Sequence, residues 1–168
     1  MLLGNPKTFA VEIFDDGKDL KSRGFGRMCL HLAGYSHGDV SESECSLWHP
    51  VERIEEVAQV LPALWSEDFE GHTDQELFAY LDAVLYSGEI SGDTELLGAY
   101  DFLTNTSESF HNEKSFVFCD PRDNVRIVWQ NRNCVFRSVR VPRREFESVV
   151  RELSEWFIGV RQARGAGV

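Results

Sequence analysis

Apolar and polar residues alternate over two stretches near the start of the chain. From Lys7 to Phe14, Phe9, Val11 and Ile13 recur at a spacing of two, which predicts a strand with one apolar face. Asp15-Asp16-Gly17-Lys18 follows as turn chemistry and opens a loop to about Gly24. Phe25 to Ala33 alternates again, with Met28, Leu30 and Leu32 on one face, so the two strands are expected to pair antiparallel across a long connection. Gly34 to Ser46 is polar and rich in glycine and serine, which reads as a loop or a weak edge strand.

The period then changes. Val51, Ile54, Val57/Ala58 and Leu61 repeat at helical spacing, with Pro50 expected at the first helical position and Pro62 ending the helix. Thr73-Asp74-Gln75-Glu76 is a capping box, in which a hydroxyl and a carboxylate satisfy two orphan N–H groups reciprocally. Leu77, Tyr80, Leu81, Val84 and Leu85 form the stripe of that helix, and Gly88 stands where a helix C-terminus favours glycine. Glu95 to Leu103 fits helix and strand equally, and Thr104 to Asn112 reads as a polar loop.

A β-meander is predicted next: Ser115–Cys119, a turn at Asp120–Asn124, Val125–Gln130, a turn at Asn131–Asn133, then Cys134–Val141. Pro142 is expected to open a last helix with Phe146, Val149/Val150, Leu153, Trp156/Phe157 and Val160 on its buried face. Strands, helices, strands and a helix in that order predict an α+β fold. Its sheet is mainly antiparallel, an N-terminal strand pair plus the C-terminal meander, packed with about three helices. One domain over residues 1–160 is expected, with 161–168 as a flexible tail rich in arginine and glycine.

Charge changes this picture more than composition does. Between Asp39 and Glu113 stand 18 acidic residues and one base, Arg53, a net of −17, while both flanks are slightly basic. Such a surface repels nucleic acid and anionic lipid and attracts a basic partner; the basic ends are also placed to pair with it internally. The aromatic content of 12% argues against disorder. No apolar run is long enough to span a membrane, and the N-terminus does not read as a secretory signal. Four cysteines without a Cys-x-x-Cys pair read as reduced thiols of a cytoplasmic protein.

Candidate chemistry is thin. Gly34-Tyr35-Ser36-His37-Gly38 matches the nucleophile-elbow pattern, but no helical stripe follows it, so a small hydrolase is the weakest reading. His37, Cys45 and His49 do not have zinc spacing. The carboxylates Glu67, Asp68, Glu70 and Asp74 fit neither an EF-hand nor a specific glycosidase pair. No phosphate loop occurs, and the C-terminal arginines interleave with glutamates on one predicted helix. No catalytic residue, cofactor or metal is assigned on these grounds.

The run Gly4-Asn5-Pro6-Lys7-Thr8-Phe9-Ala10-Val11 resembles the opening of immunity protein family 42, a family of bacterial polymorphic-toxin immunity proteins. The ending is similar as well: Val125 to Trp129, Val135-Phe136, Val139, Pro142, Glu145-Phe146, then a helix with Leu153 and Trp156. The resemblance rests on these two ends; none of its quoted motifs lies in the acidic middle. The resemblance implies a non-enzymatic inhibitor that binds a cognate protein toxin and blocks it by occlusion. A basic nuclease domain is the kind of toxin an acidic inhibitor docks on quickly. An acidic adaptor or nucleic-acid mimic with another basic partner is the alternative. The partner-binding surface is placed on Glu67, Asp68, Phe69, Glu70, Asp74, Glu89, Asp93, Glu95 and Asp101, with Trp65, Tyr86 and Tyr100 as further aromatic candidates.

Overall fold

The computed structural model describes residues 1–14, 24–41, 45–111 and 113–165. The expected loop at 15–23 lies outside the described residues. The first sheet runs β1 (Leu2–Asn5), β2 (Phe9–Phe14), β3 (Phe25–Leu32) and β4 (Tyr35–His37) in that order, with β5 (Cys45–Ser46) also on β3. Neighbouring strands are antiparallel throughout. Phe9, Val11, Ile13, Met28, Leu30 and Leu32 are all buried, as the alternation predicts.

One strand exceeds the expectation, β1, because Leu2-Leu3-Gly4-Asn5 is too short to show a period; β4 and β5 fall in the segment read as a loop or a weak edge strand. β4 follows β3 through a two-residue turn, Ala33-Gly34, at φ 51° and 84°. Positive φ at both central positions is the hairpin turn whose twist matches that of its strands, and glycine at the second position makes it accessible.

The second sheet is the meander β6 (Lys114–Cys119), β7 (Asn124–Gln130) and β8 (Phe136–Pro142), antiparallel in chain order. At its first turn the Asp120 carboxylate accepts from the backbone N–H groups of Arg122 and Asn124 at 2.9 and 3.0 Å.

Helix α1 spans Trp48–Val60 and buries Pro50, Val51, Ile54 and Val57. It begins two residues before Pro50, which therefore sits inside the first turn rather than opening it. A 3-10 turn at Leu61–Ala63 contains Pro62 and ends the helical run. Helix α2 spans Asp74–Asp82 and continues as a π turn over Ala83–Ser87; Gly88, at φ 67°, closes it in the left-handed conformation. The ambiguous segment resolves as a short helix α3, Thr94–Leu97, a 3-10 turn at Gly98–Tyr100, and a single bridge from Asp101 to Phe116 on the edge of β6.

Helix α4 spans Arg143–Gly165, starting one residue after Pro142, which closes β8. Residues 161–165 are helical, and the chain beyond them lies outside the described residues. This helix joins the two sheets. Phe146 stacks on Phe9 of β2 with ring centroids 4.8 Å apart, and Phe157 meets the edge of Trp48 of α1 at 4.7 Å. One continuous core therefore includes residues from both sheets and the helices, an α+β architecture with antiparallel sheets.

Candidate functional site

The acidic middle builds an open cleft of about 450 Å³ between the 3-10 turn at Glu67–Phe69, α2 and α3. Phe69, Leu77, Leu97 and Tyr100 are buried around its floor. Leu96 and Tyr80 stand exposed on its walls, Leu96 at 66% exposure, and Asp68, Asp93 and His72 also line it. An apolar floor under acidic side chains suits a ligand that is apolar at its tip and basic around it.

Local capping fixes these walls. The Ser66 hydroxyl accepts from the Asp68 N–H at 3.3 Å and starts the 3-10 turn. The capping box forms: Glu76 donates its N–H to Thr73 Oγ1 at 3.2 Å, and Thr73 donates its N–H to Glu76 Oε2 at 2.7 Å. Those bonds from Thr73 hold the Glu76 carboxyl below its ordinary pKa. Asp93 Oδ1 accepts from the Leu96 N–H at 3.0 Å and caps α3. Arg53, the one base of the middle, donates from Nε to the Asp101 carbonyl at 3.0 Å and from Nη2 to the Ala99 carbonyl at 2.9 Å. Those carbonyls end the 3-10 turn that follows α3, so Arg53 acts as its cation cap.

The nine residues assigned from sequence do not share one surface. Glu67, Asp68, Glu70, Glu89, Asp93 and Glu95 are exposed, and none forms an ion pair among the described residues. Asp68 and Asp93 reach the cleft itself. The other three are turned inward. Phe69 is core, meeting Tyr100 at 5.1 Å and Phe118 at 5.5 Å edge to face. Asp74 is held by Arg126, whose Nε donates to Oδ1 at 2.9 Å, with Arg140 at 4.0 Å. Burial raises the Asp74 pKa, but hydrogen bonds from Arg126 and Ser138 and the arginine charges outweigh it, leaving the group below its ordinary value. Asp101 is the opposite case: burial raises its pKa, and hydrogen bonds from Thr104 and Tyr86 do not overcome it.

The aromatic candidates divide similarly. Tyr100 is buried, and Trp65 is half-buried against Phe69 with the Arg126 guanidinium 5.7 Å from its ring. Tyr86 is exposed, with Lys114 Nζ 5.3 Å from its ring centre. The residues that sequence reasoning missed are Leu96, Tyr80 and His72. Leu96-Leu97 next to a charged cap was the available signal, since a four-residue helix buries only one of two adjacent leucines.

The remaining motifs resolve structurally. Ser36 of the elbow pattern lies in β4, and no helix follows it directly. His37 is fully buried, its Nδ1 2.7 Å from Glu113 Oε2, which also accepts the Gly38 N–H at 2.9 Å. Cys45 Sγ faces the Gly26 carbonyl and the Ser109 hydroxyl, and no ligand set unites it with His37 and His49 among the described residues.

Comparison with known proteins agrees with this architecture. The sequence profile of the family described as Immunity protein 42 matches residues 1–156. The crystal structure of CdiI from Burkholderia dolosa AUO158 is similar in fold, with a TM-score of 0.61 at 18% identity, over 93% of this chain and 99% of that one. No curated protein sequence matches the chain.

Proposed function

This chain belongs to the immunity protein 42 family, and from that membership we propose that it neutralises its cognate toxin by occlusion, with the acidic cleft as the toxin-facing surface. The observation behind this reading is the placement of the unpaired acids. Bases from the last third of the chain take up Asp39, Glu55, Asp74 and Asp82, through Arg132, Arg161, Arg126 and Lys114. The exposed acids without such a partner include Asp68 and Asp93 at the cleft, with Glu67, Glu70 and Glu95 beside them in sequence.

A cleft of this kind divides the work of binding. The free carboxylates attract a basic toxin face and speed the encounter. The apolar floor, with Leu96 and Tyr80, receives an anchoring side chain and slows dissociation. A nuclease domain with a basic active-site cleft is the toxin class that fits. Inhibition then needs no chemistry from this chain, only coverage. The fold shared with CdiI suits a place in contact-dependent inhibition.

The test separates the two contributions. The combined variant Glu67→Gln, Asp68→Asn, Glu70→Gln and Glu95→Gln is expected to slow toxin association about tenfold or more at low salt and to flatten its salt dependence. Leu96→Ala is expected mainly to speed dissociation. Unchanged association and unchanged protection of cells by the combined variant would exclude the acidic cleft as the contact surface.

A further inference from the structure

We propose that Glu12, Cys29 and His31 form a three-ligand site for a zinc-class divalent cation on the face of the first sheet opposite the core. Strand pairing puts them there. Glu12 of β2 is the register partner of Cys29 of β3, and His31 lies two residues further along β3, so all three point to one side. The other side of the same strands holds Val11, Ile13, Met28 and Leu30, which are buried. This site is independent of the acidic cleft and of the toxin reading.

The ligand atoms converge on one ring nitrogen. Glu12 Oε2 lies 2.8 Å from His31 Nε2, Cys29 Sγ lies 3.8 Å from the same nitrogen, and all three atoms fall within 4.8 Å of one another. Metal–ligand bonds of about 2.0–2.3 Å at tetrahedral angles put ligand atoms roughly 3.2–3.8 Å apart. The sulfur–nitrogen spacing is at the upper end of that range; the glutamate oxygen has to withdraw from His31 Nε2 by a few tenths of an ångström and swing toward Cys29 Sγ, which lies within 4.8 Å of it. A surface ion pair between Glu12 and His31 would account for two of these atoms but not for the thiol aimed at the same point.

The donor set also selects the ion. Carboxylate, thiolate and imidazole together suit zinc and its neighbours rather than magnesium or calcium, which favour oxygen alone. Three protein ligands leave a fourth position open. The partly exposed Glu12 and His31, at 30% and 19%, give an ion access from solvent, while Cys29, at 2% exposure, forms the floor. Binding breaks the Glu12–His31 hydrogen bond. In the metal-bound form His31 carries a single ring proton, on Nδ1, and offers the Nε2 lone pair, and the Cys29 thiol releases one proton to solvent as its sulfur–metal bond forms.

Cobalt(II) titration of the chelator-treated full chain tests the site. One equivalent is expected to produce a thiolate-to-cobalt charge-transfer band and tetrahedral visible bands, both displaced by zinc. Cys29→Ala is expected to abolish the charge-transfer band, and His31→Gln to weaken cobalt binding about tenfold or more. Cys134→Ser is expected to leave both unchanged, because Cys134 lies elsewhere on the surface. Should Cys29→Ala fail to fold, His31→Gln alone decides. No charge-transfer band, a band that survives Cys29→Ala, or cobalt affinity unaffected by His31→Gln would overturn the proposal.

Discussion

Asp74 shows at a single residue why charge alone misplaces a site. In sequence it is one acid among many; in the structure its partner is Arg126, 52 positions away. With side chains 6% and 17% exposed, this pair is a structural element rather than a binding surface. Asp74→Asn is expected to cost about 3 kcal/mol in urea unfolding at pH 7, because it leaves the Arg126 guanidinium buried without its counter-charge. The pH dependence follows from the depressed carboxyl. Its contribution is present above the unfolded-state value of about 3.9 and is lost as pH falls through the lower folded-state value. The gap between wild type and variant should therefore shrink when unfolding is repeated near pH 3. The cysteines make a second residue-scale case. Cys134 is exposed, while Cys29, Cys45 and Cys119 are buried, and burial together with the nearby Glu12 pushes the Cys29 thiol up to about 12. In the native protein free of metal, a disulfide reagent is expected to titrate one thiol quickly and the other three only after unfolding, because thiolate character and access set the rate.

At the scale of elements, the most legible features were those written locally. The alternation of β2 and β3, the meander and the buried stripe of α4 all follow from neighbours in sequence, and the structure contains them. The capping box was legible for the same reason, since both of its hydrogen bonds close within three residues. Thr73→Ala is expected to lower stability by about 1 kcal/mol, or about 3 °C in Tm for a chain of this size. If the cleft is the toxin-facing surface as proposed, it should also weaken toxin binding modestly, because α2 positions Leu77 and Tyr80 there; calorimetry and a binding titration check the two effects. Two elements were hidden because they depend on partners. β1 is too short to show a period and exists by pairing with β2. The segment after Asp93 becomes helix and turn through contacts with Arg53, some 45 residues earlier. The triad of Glu12, Cys29 and His31 was less legible. Alternation names Met28, Leu30 and Leu32 as one face of β3 and so leaves Cys29 and His31 on the other, but only the β2–β3 register brings Glu12 beside them.

Over the whole molecule, the net charge of −11 conceals two populations of acid. One is consumed internally by the basic ends, which stitch the acidic middle onto the meander and α4. The other is left in solvent, where mutual repulsion opposes the compact state and therefore has to be justified by something other than folding. The proposed capture of a toxin by these acids would supply that justification, and it implies that binding and stability respond to these charges with opposite sign. Glu89 is the clearest place to see it. It follows Gly88 at the C-terminal end of the α2 and π-turn run, where a negative charge opposes the helix dipole, and it lines the same depression as Asp82. Glu89→Gln is accordingly expected to raise Tm by about 1 °C in a melt of the free protein. The same variant should slow toxin association roughly twofold at low ionic strength, an effect that fades as salt approaches the physiological range and screens charges beyond about 8 Å. A Glu89 variant that is both more stable and equally fast to associate would show that its carboxylate takes no part in steering. The toxin-facing field would then narrow to the acids that border the cleft.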